Sequence, residues 1–153
     1  MKRSAGILLY RKREDSWEVF LVHPGGPFWK NKDDGAWSIP KGECEEGAEL
    51  LSEAKREFFE ETGVELREGF QPLTPVRQAG RKVVYAWAVE GDLEPGTLKS
   101  NTFTMEWPPR SGKRQEFAEV DRGDWFTLST ARCKILSGQR PLLDELSTVI
   151  GAD

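Results

Sequence analysis

Glu57, Glu60 and Glu61 stand at i, i+3 and i+4, a spacing that on a helix gathers three carboxylates on one patch. With Glu53 they span an arc of about 100° at 100° per residue. Like charges so spaced cost a few tenths of a kcal/mol per pair on an exposed helix. Half-buried, two carboxylates about 6 Å apart repel by roughly 3 kcal/mol at an effective dielectric of about 20. A divalent cation removes that penalty, and a hard one such as Mg²⁺ or Mn²⁺ prefers carboxylate oxygen. Spacing alone leaves two readings open, a cation site and a solvated acidic face, and the solvated face is the commoner explanation of a charge run.

The placement of charge favours the cation. Residues 41–61 hold eight acids (Glu43, Glu45, Glu46, Glu49, Glu53, Glu57, Glu60 and Glu61) against Lys41, Lys55 and Arg56. The remaining 18 acids meet 19 bases, so the net charge of −4 sits in this one segment. No basic stripe of the kind that binds DNA or RNA exists.

These carboxylates need a scaffold, and 153 residues with 37% apolar content can supply one domain over 1–153 with a real core. No apolar run approaches the roughly 20 residues that span a bilayer, so no membrane partner is expected. The opening MKRSAGILLYRKRE lacks a signal-peptide profile, and two distant cysteines, Cys44 and Cys133, read as reduced thiols in a cytoplasmic protein. There is no repeat or heptad.

Ser4–Tyr10 and Trp17–His23 read as a hairpin, Pro24–Gly35 as a loop, Trp37–Pro40 as a short strand and Lys41–Gly47 as a loop. Ala48–Thr62 has helical composition, an apolar stripe of Leu51, Ala54 and Phe58, and Gly63 at the left-handed cap position. Val64–Leu66, Phe70–Gln78 and Lys82–Glu90 read as strands, the last one central. Residues 91–114 predict a surface loop with a brief strand near Thr102–Glu106, followed by a strand at Trp125–Leu128. Helices then start at Ser129, as N-cap, and around Pro141. The class is α/β, with helices packed on a mixed sheet.

From Gly42 onward the chain carries Arg56-Glu57-Phe58-Phe59-Glu60-Glu61-Thr62-Gly63-Val64 at a fixed offset. This resembles the Nudix box, G-x5-E-x7-R-E-U-x-E-E-x-G-U, where U is bulky and apolar. Gly42, Arg56, Glu57, Phe58, Glu60, Glu61, Gly63 and Val64 match, and Ala48 stands where the box has its first Glu. Trp37-Ser38-Ile39-Pro40-Lys41-Gly42 is similar to the family's approach to the box.

The resemblance implies an α/β/α sandwich and metal-dependent hydrolysis of a nucleoside diphosphate linked to another moiety. It places the metal on Glu57, Glu60 and Glu61, with a backbone carbonyl near Lys41, and gives Arg56 the bracing of a catalytic carboxylate. The Arg3–Leu9 strand, Glu119 six residues before Trp125, and the tail Ala131–Leu146 with Gly138-Gln139 look most like the asymmetric diadenosine-tetraphosphate (Ap4A) hydrolases. Sugar-nucleotide, oxidised-nucleotide and RNA 5′-end pyrophosphatases share the box. So does a catalytically silent nucleotide sensor, which the Ala48 departure favours.

Glu119 is either an added metal ligand or base, or an exposed loop acid. Lys41, Arg77, Lys82, Arg110, Lys113 and Arg114 are either phosphate ligands or solvated charges. Trp29 and Trp107, in polar loops, suit base stacking; Tyr85, sharing a strand face with Trp87, suits stacking or core equally.

Overall fold

The computed structural model describes residues 2–152, so Met1 and Asp153, the ends of the expected domain, lie outside the described residues. The first strand, β1 (Lys2–Arg13), turns at Glu14 and Asp15, both with positive φ (49° and 70°), into β2 (Ser16–Pro24). Two left-handed residues match the twist of a two-residue hairpin, which sets the Arg13–Ser16 register. The elements that follow are β3 (Lys41–Cys44), α1 (Leu50–Thr62), β4 (Gln71–Pro72), β5 (Val76–Gln78) and β6 (Lys82–Glu90). After these come β7 (Thr102–Glu106), β8 (Arg114–Ala118), β9 (Val120–Thr127), α2 (Leu128–Lys134) and α3 (Arg140–Ile150).

The main sheet runs β4-β6-β1-β2-β9, with β3 on β1 and β5 on β6; β7 and β8 form a separate hairpin. Among the named strands of the described residues, β1 and β6 alone pair in parallel. One edge of β1 is divided, its C-terminal half pairing with β2 and its N-terminal half with β3. That division brings the segment leading into α1 against the middle of the sheet.

Each face of the sheet has its own core. Ala5, Ile7, Leu9, Phe20 and Val89 pack with Ala54 and Phe58 of α1. Leu8, Val19, Leu21, Val84 and Ala86 pack with Ala131 of α2, Ile135, and Leu142, Leu143 and Leu146 of α3. Alternation along the strands feeds both layers, and the outcome is the expected α/β/α sandwich on a mixed sheet.

Several boundaries differ from the sequence reading. The strand lies at Lys41–Cys44, not at Trp37–Pro40, where Ser38 and Trp37 make only isolated bridges to Val22 and Ile135. Val64–Leu66 forms no strand, and Phe70–Gln78 breaks into β4 and β5 around Leu73, which turns inward. β6 is interior, but β1 occupies the centre. Helix α1 starts at Leu50 because Glu49 caps it, accepting from the Ser52 N–H, and α2 is capped by Thr127 in place of Ser129. β9 starts five residues earlier than Trp125, and Arg114–Ala118, within and beyond the expected loop, is a strand. These charged edge segments carry little hydrophobic periodicity, so tertiary pairing decides them.

Phe58 is 1% exposed and ties α1 to the sheet. Phe58→Ala should cost about 3–5 kcal/mol, read as a lower urea midpoint at unchanged slope.

Candidate active site

The acids of helix α1 adjoin its buried stripe of Ala54 and Phe58, so packing that stripe on the sheet turns Glu57 toward β3 and buries Glu61. Gly42 on β3 lies directly beneath Glu57, where a Cβ would sit 2.5 Å from the Glu57 Cδ. Only a glycine lets the carboxylate settle against the strand backbone there. Gly63 ends the helix in left-handed conformation (φ 76°) and donates its N–H to the Phe59 carbonyl, so both box glycines occupy positions that need them.

Arg56 runs along the exposed side of this acidic face. Its Nη1 reaches both oxygens of Glu60 at 3.0 and 3.1 Å, and its Nη2 reaches Glu57 at 3.2 Å and also Glu53. One guanidinium therefore restrains three carboxylates by charge-assisted bonds. Glu61 takes no part in this. It is 5% exposed, and its Oε2 has no hydrogen-bond partner. Burial, then the charges of Glu57, Glu119 and Glu60, push its pKa up to about 8, with Lys41 pulling the other way. Glu57 is also raised, by desolvation first, with Arg56 opposing.

Glu61 faces a cleft of about 160 Å³ lined also by Lys41, Glu119 and Ser38 and walled by Val22, Ile39 and Val120. That volume admits a phosphate but no nucleoside, so a base must lie outside it. Lys41, half-buried, has its ammonium pKa lowered by desolvation and by Lys82. A larger open depression of about 480 Å³ on the outer side of α1, by Lys55, Phe59 and Leu66, has no converging carboxylates.

The structure thus brings Lys41, Glu61 and Glu119 into one cleft, with Glu57 and Glu60 beside it on the same helix. Lys82 opens β6 near Lys41, paired across from Gln78. Arg77 is exposed on β5 and does not line the cleft. Tyr85 lies on the α1 side of the sheet with Trp87, away from the cleft lining. Trp29 is partly buried against the α2–α3 core, with the Lys32 ammonium 5.5 Å from its ring. Trp107, in the β7–β8 turn, meets exposed Phe28 edge-on with centroids 5.4 Å apart. Ser38, Val22 and Val120 carry no sequence signal, since chain folding alone brings them together.

Among the described residues no three acid, His or Cys side chains already converge as a ligand set. The fit to a cation rests on the buried, partnerless Glu61 oxygen and on the Gly42 cradle. Ala48 precedes the helix cap, and Glu49 is spent on capping, so no neighbour supplies the missing box carboxylate.

Residues 1–146 match the family model described as the NUDIX domain, and the chain belongs to the Nudix family. It is a pyrophosphohydrolase of a family that generally uses divalent metal ions. Among solved structures, a Caenorhabditis elegans Ap4A hydrolase in a binary complex is similar at 21% identity and TM-score 0.68, covering 99% of this chain and 98% of that one. The NUDIX domain of Shewanella oneidensis NrtR, complexed with ADP ribose, is similar at 16% identity and TM-score 0.63, covering 97% and 87%. A mutT/nudix family protein from Listeria innocua is similar at 16% and TM-score 0.65, covering 98% and 94%. At these identities the likeness establishes the fold.

The raised Glu61 gives a signed expectation. Between about pH 5 and 8 the folded metal-free protein keeps a proton that the unfolded chain has shed, so stability falls as pH rises. This one group contributes at most about 1.4 kcal/mol per pH unit. Urea unfolding in chelator across that range should show the decline, and Glu61→Gln should flatten it; equal slopes would show that Glu61 is not the group.

Proposed function

We propose that this chain, acting as one cytoplasmic domain, hydrolyses dinucleoside polyphosphates, Ap4A giving ATP and AMP, with Mg²⁺ as cofactor and Mn²⁺ as a substitute. The observation that carries the reading is the buried Glu61 carboxylate facing the cleft with one oxygen unpartnered. Glu57, Glu60, Glu61 and Glu119, with a backbone carbonyl near Lys41, would hold the metal. The ion, when bound, neutralises the phosphate chain and acidifies the attacking water.

The protein's own groups do the rest. Glu57 accepts the proton from water; its raised pKa brings it nearer the operating pH, which favours general-base work. Arg56 keeps Glu57 and Glu60 in place. Lys41 meets a phosphate oxygen in the cleft, and Lys82 extends the positive path. Arg77, Arg110, Lys113 and Arg114 are available to a long polyphosphate outside it.

A cleft too small for a nucleoside directs the base outward, and exposed Phe28, with the Trp107 ring it contacts, is the aromatic partner we assign to it. Trp29 is a second platform, whereas Tyr85, which shares the core-facing side of β6 with Trp87 and does not line the cleft, is the weakest of the proposed substrate contacts. The Ap4A assignment draws support from the Glu119 and tail motifs and from full-length similarity to the C. elegans hydrolase. The Ala48 departure favours a second reading, a nucleotide-sensing module, and the NrtR domain with ADP ribose shows the same fold in a different ligand context.

A nucleotide panel with Mg²⁺ in ¹⁸O-water, resolved by chromatography and mass spectrometry, tests this. Ap4A should yield ATP and AMP, one of them labelled. Trp107→Ala should raise KM more than it lowers kcat, by the factor that loss of about 1–3 kcal/mol of stacking implies. Intact Ap4A beside consumed ADP-ribose or nucleoside triphosphate overturns the substrate; an inert protein across the panel favours the sensor.

A further inference from the structure

The pairing of β2 with β9 slips where the cleft begins. His23 lies opposite Arg122 and Pro24 opposite Val120, so Asp121 is an extra residue without a partner on β2. Such a bulge bends its strand and re-aims the neighbouring side chains. The Asp121 carboxylate turns back to β2, its Oδ1 2.9 Å from His23 Nδ1. His23 is wholly buried, donates from Nε2 to the Lys32 carbonyl at 2.6 Å, and meets the Trp37 ring edge-on at 5.1 Å.

Glu119 stands two residues before this grip. Its carbonyl accepts from the Gly25 N–H at 2.9 Å, and its N–H donates to the Asn101 carbonyl at 2.8 Å. Gly25 is pressed so closely on the turn that a Cβ would fall 1.9 Å from the Ala118 carbonyl oxygen. The backbone of Glu119 is thus held from two sides while its side chain lines the cleft with Glu61 and Lys41.

We infer that His23 and Asp121 are a positioning pair, which locks the β9 bulge and thereby aims the Glu119 carboxylate into the cleft. A buried imidazole is costly unless both nitrogens are satisfied, and an apolar residue would fill that space without the cost. What the imidazole adds is a grip on the unpaired residue of the neighbouring strand, across 98 positions of sequence. The inference rests on the role given to Glu119 under the proposed function.

The test uses Asp121→Ala, Asp121→Asn, Glu119→Gln and the double variant Asp121→Ala/Glu119→Gln, with Asp121→Ser in place of Ala if that protein does not fold. Hydrogen exchange reads the Gly25 amide, which is bonded to Glu119, without reference to activity. In Asp121→Ala that amide should exchange at least about tenfold faster while α1 amides keep their rates. With Mg²⁺, kcat should fall about 10- to 100-fold with KM little changed, and the double variant should be no worse than Glu119→Gln. Asn, which can turn either its oxygen or its amino group to Nδ1, should recover most of both signals.

Unchanged Gly25 exchange, or losses that multiply in the double variant, would overturn the positioning role. A damaging Glu119→Gln beside a silent Asp121→Ala would overturn that role alone. A silent Glu119→Gln would overturn the assignment of Glu119, and the positioning role with it.

Discussion

The burial of the Glu61 carboxylate beside Glu57 is the interaction around which the rest is arranged. An ionised carboxylate removed from water costs several kcal/mol unless paired, and here its neighbours are mostly of like charge. The apolar stripe of α1 fixes which helix face is buried, and the sheet fixes where that face lands. With Phe58 in the core, Glu57 has nowhere to go but over Gly42, and Glu61 nowhere but into the cleft. Arg56 relieves the outer carboxylates and leaves the inner one unsatisfied. A site with surplus negative charge and an open oxygen is suited to a cation more than to any group the chain itself offers.

Much of this was legible in the sequence. The i, i+3, i+4 acids, the local excess of charge and the box pattern marked the helix, its glycines and its acidic face, the strand and helix patterns marked an α/β domain, and the resemblance to the family supplied the sandwich. These are local signals, set by periodicity and by positions that only glycine fills. Boundaries set by pairing were not legible: Lys41–Cys44 reads as a charged loop and becomes a strand because β1 offers half an edge. Likewise Arg114–Ala118 has no apolar alternation and is ordered by β7 alone.

The long-range contacts were hidden for a different reason. His23 and Asp121 are individually unremarkable, and only the fold shows that one residue slips out of register to meet the other. Tyr85, which suited stacking or core equally in the sequence, shares the helix-facing side of β6 with Trp87 and does not line the cleft. Specificity must therefore come from outside the box. The Pro24–Gly35 loop and the β7–β8 hairpin meet at Phe28 and Trp107, and Pro24, where the loop begins, and Glu119, directly after the hairpin, reach the phosphate-sized cleft.

The central claim is that Glu61 holds a proton until a cation replaces it. Calorimetric titration of Mg²⁺ into metal-free protein at about pH 7, repeated in buffers of different ionisation enthalpy, counts the protons released on binding. With a pKa of about 8, Glu61 should give up close to one proton per ion bound, and Glu61→Gln should give up almost none. Tight Mg²⁺ binding with no proton release, or release undiminished in Glu61→Gln, would contradict the account.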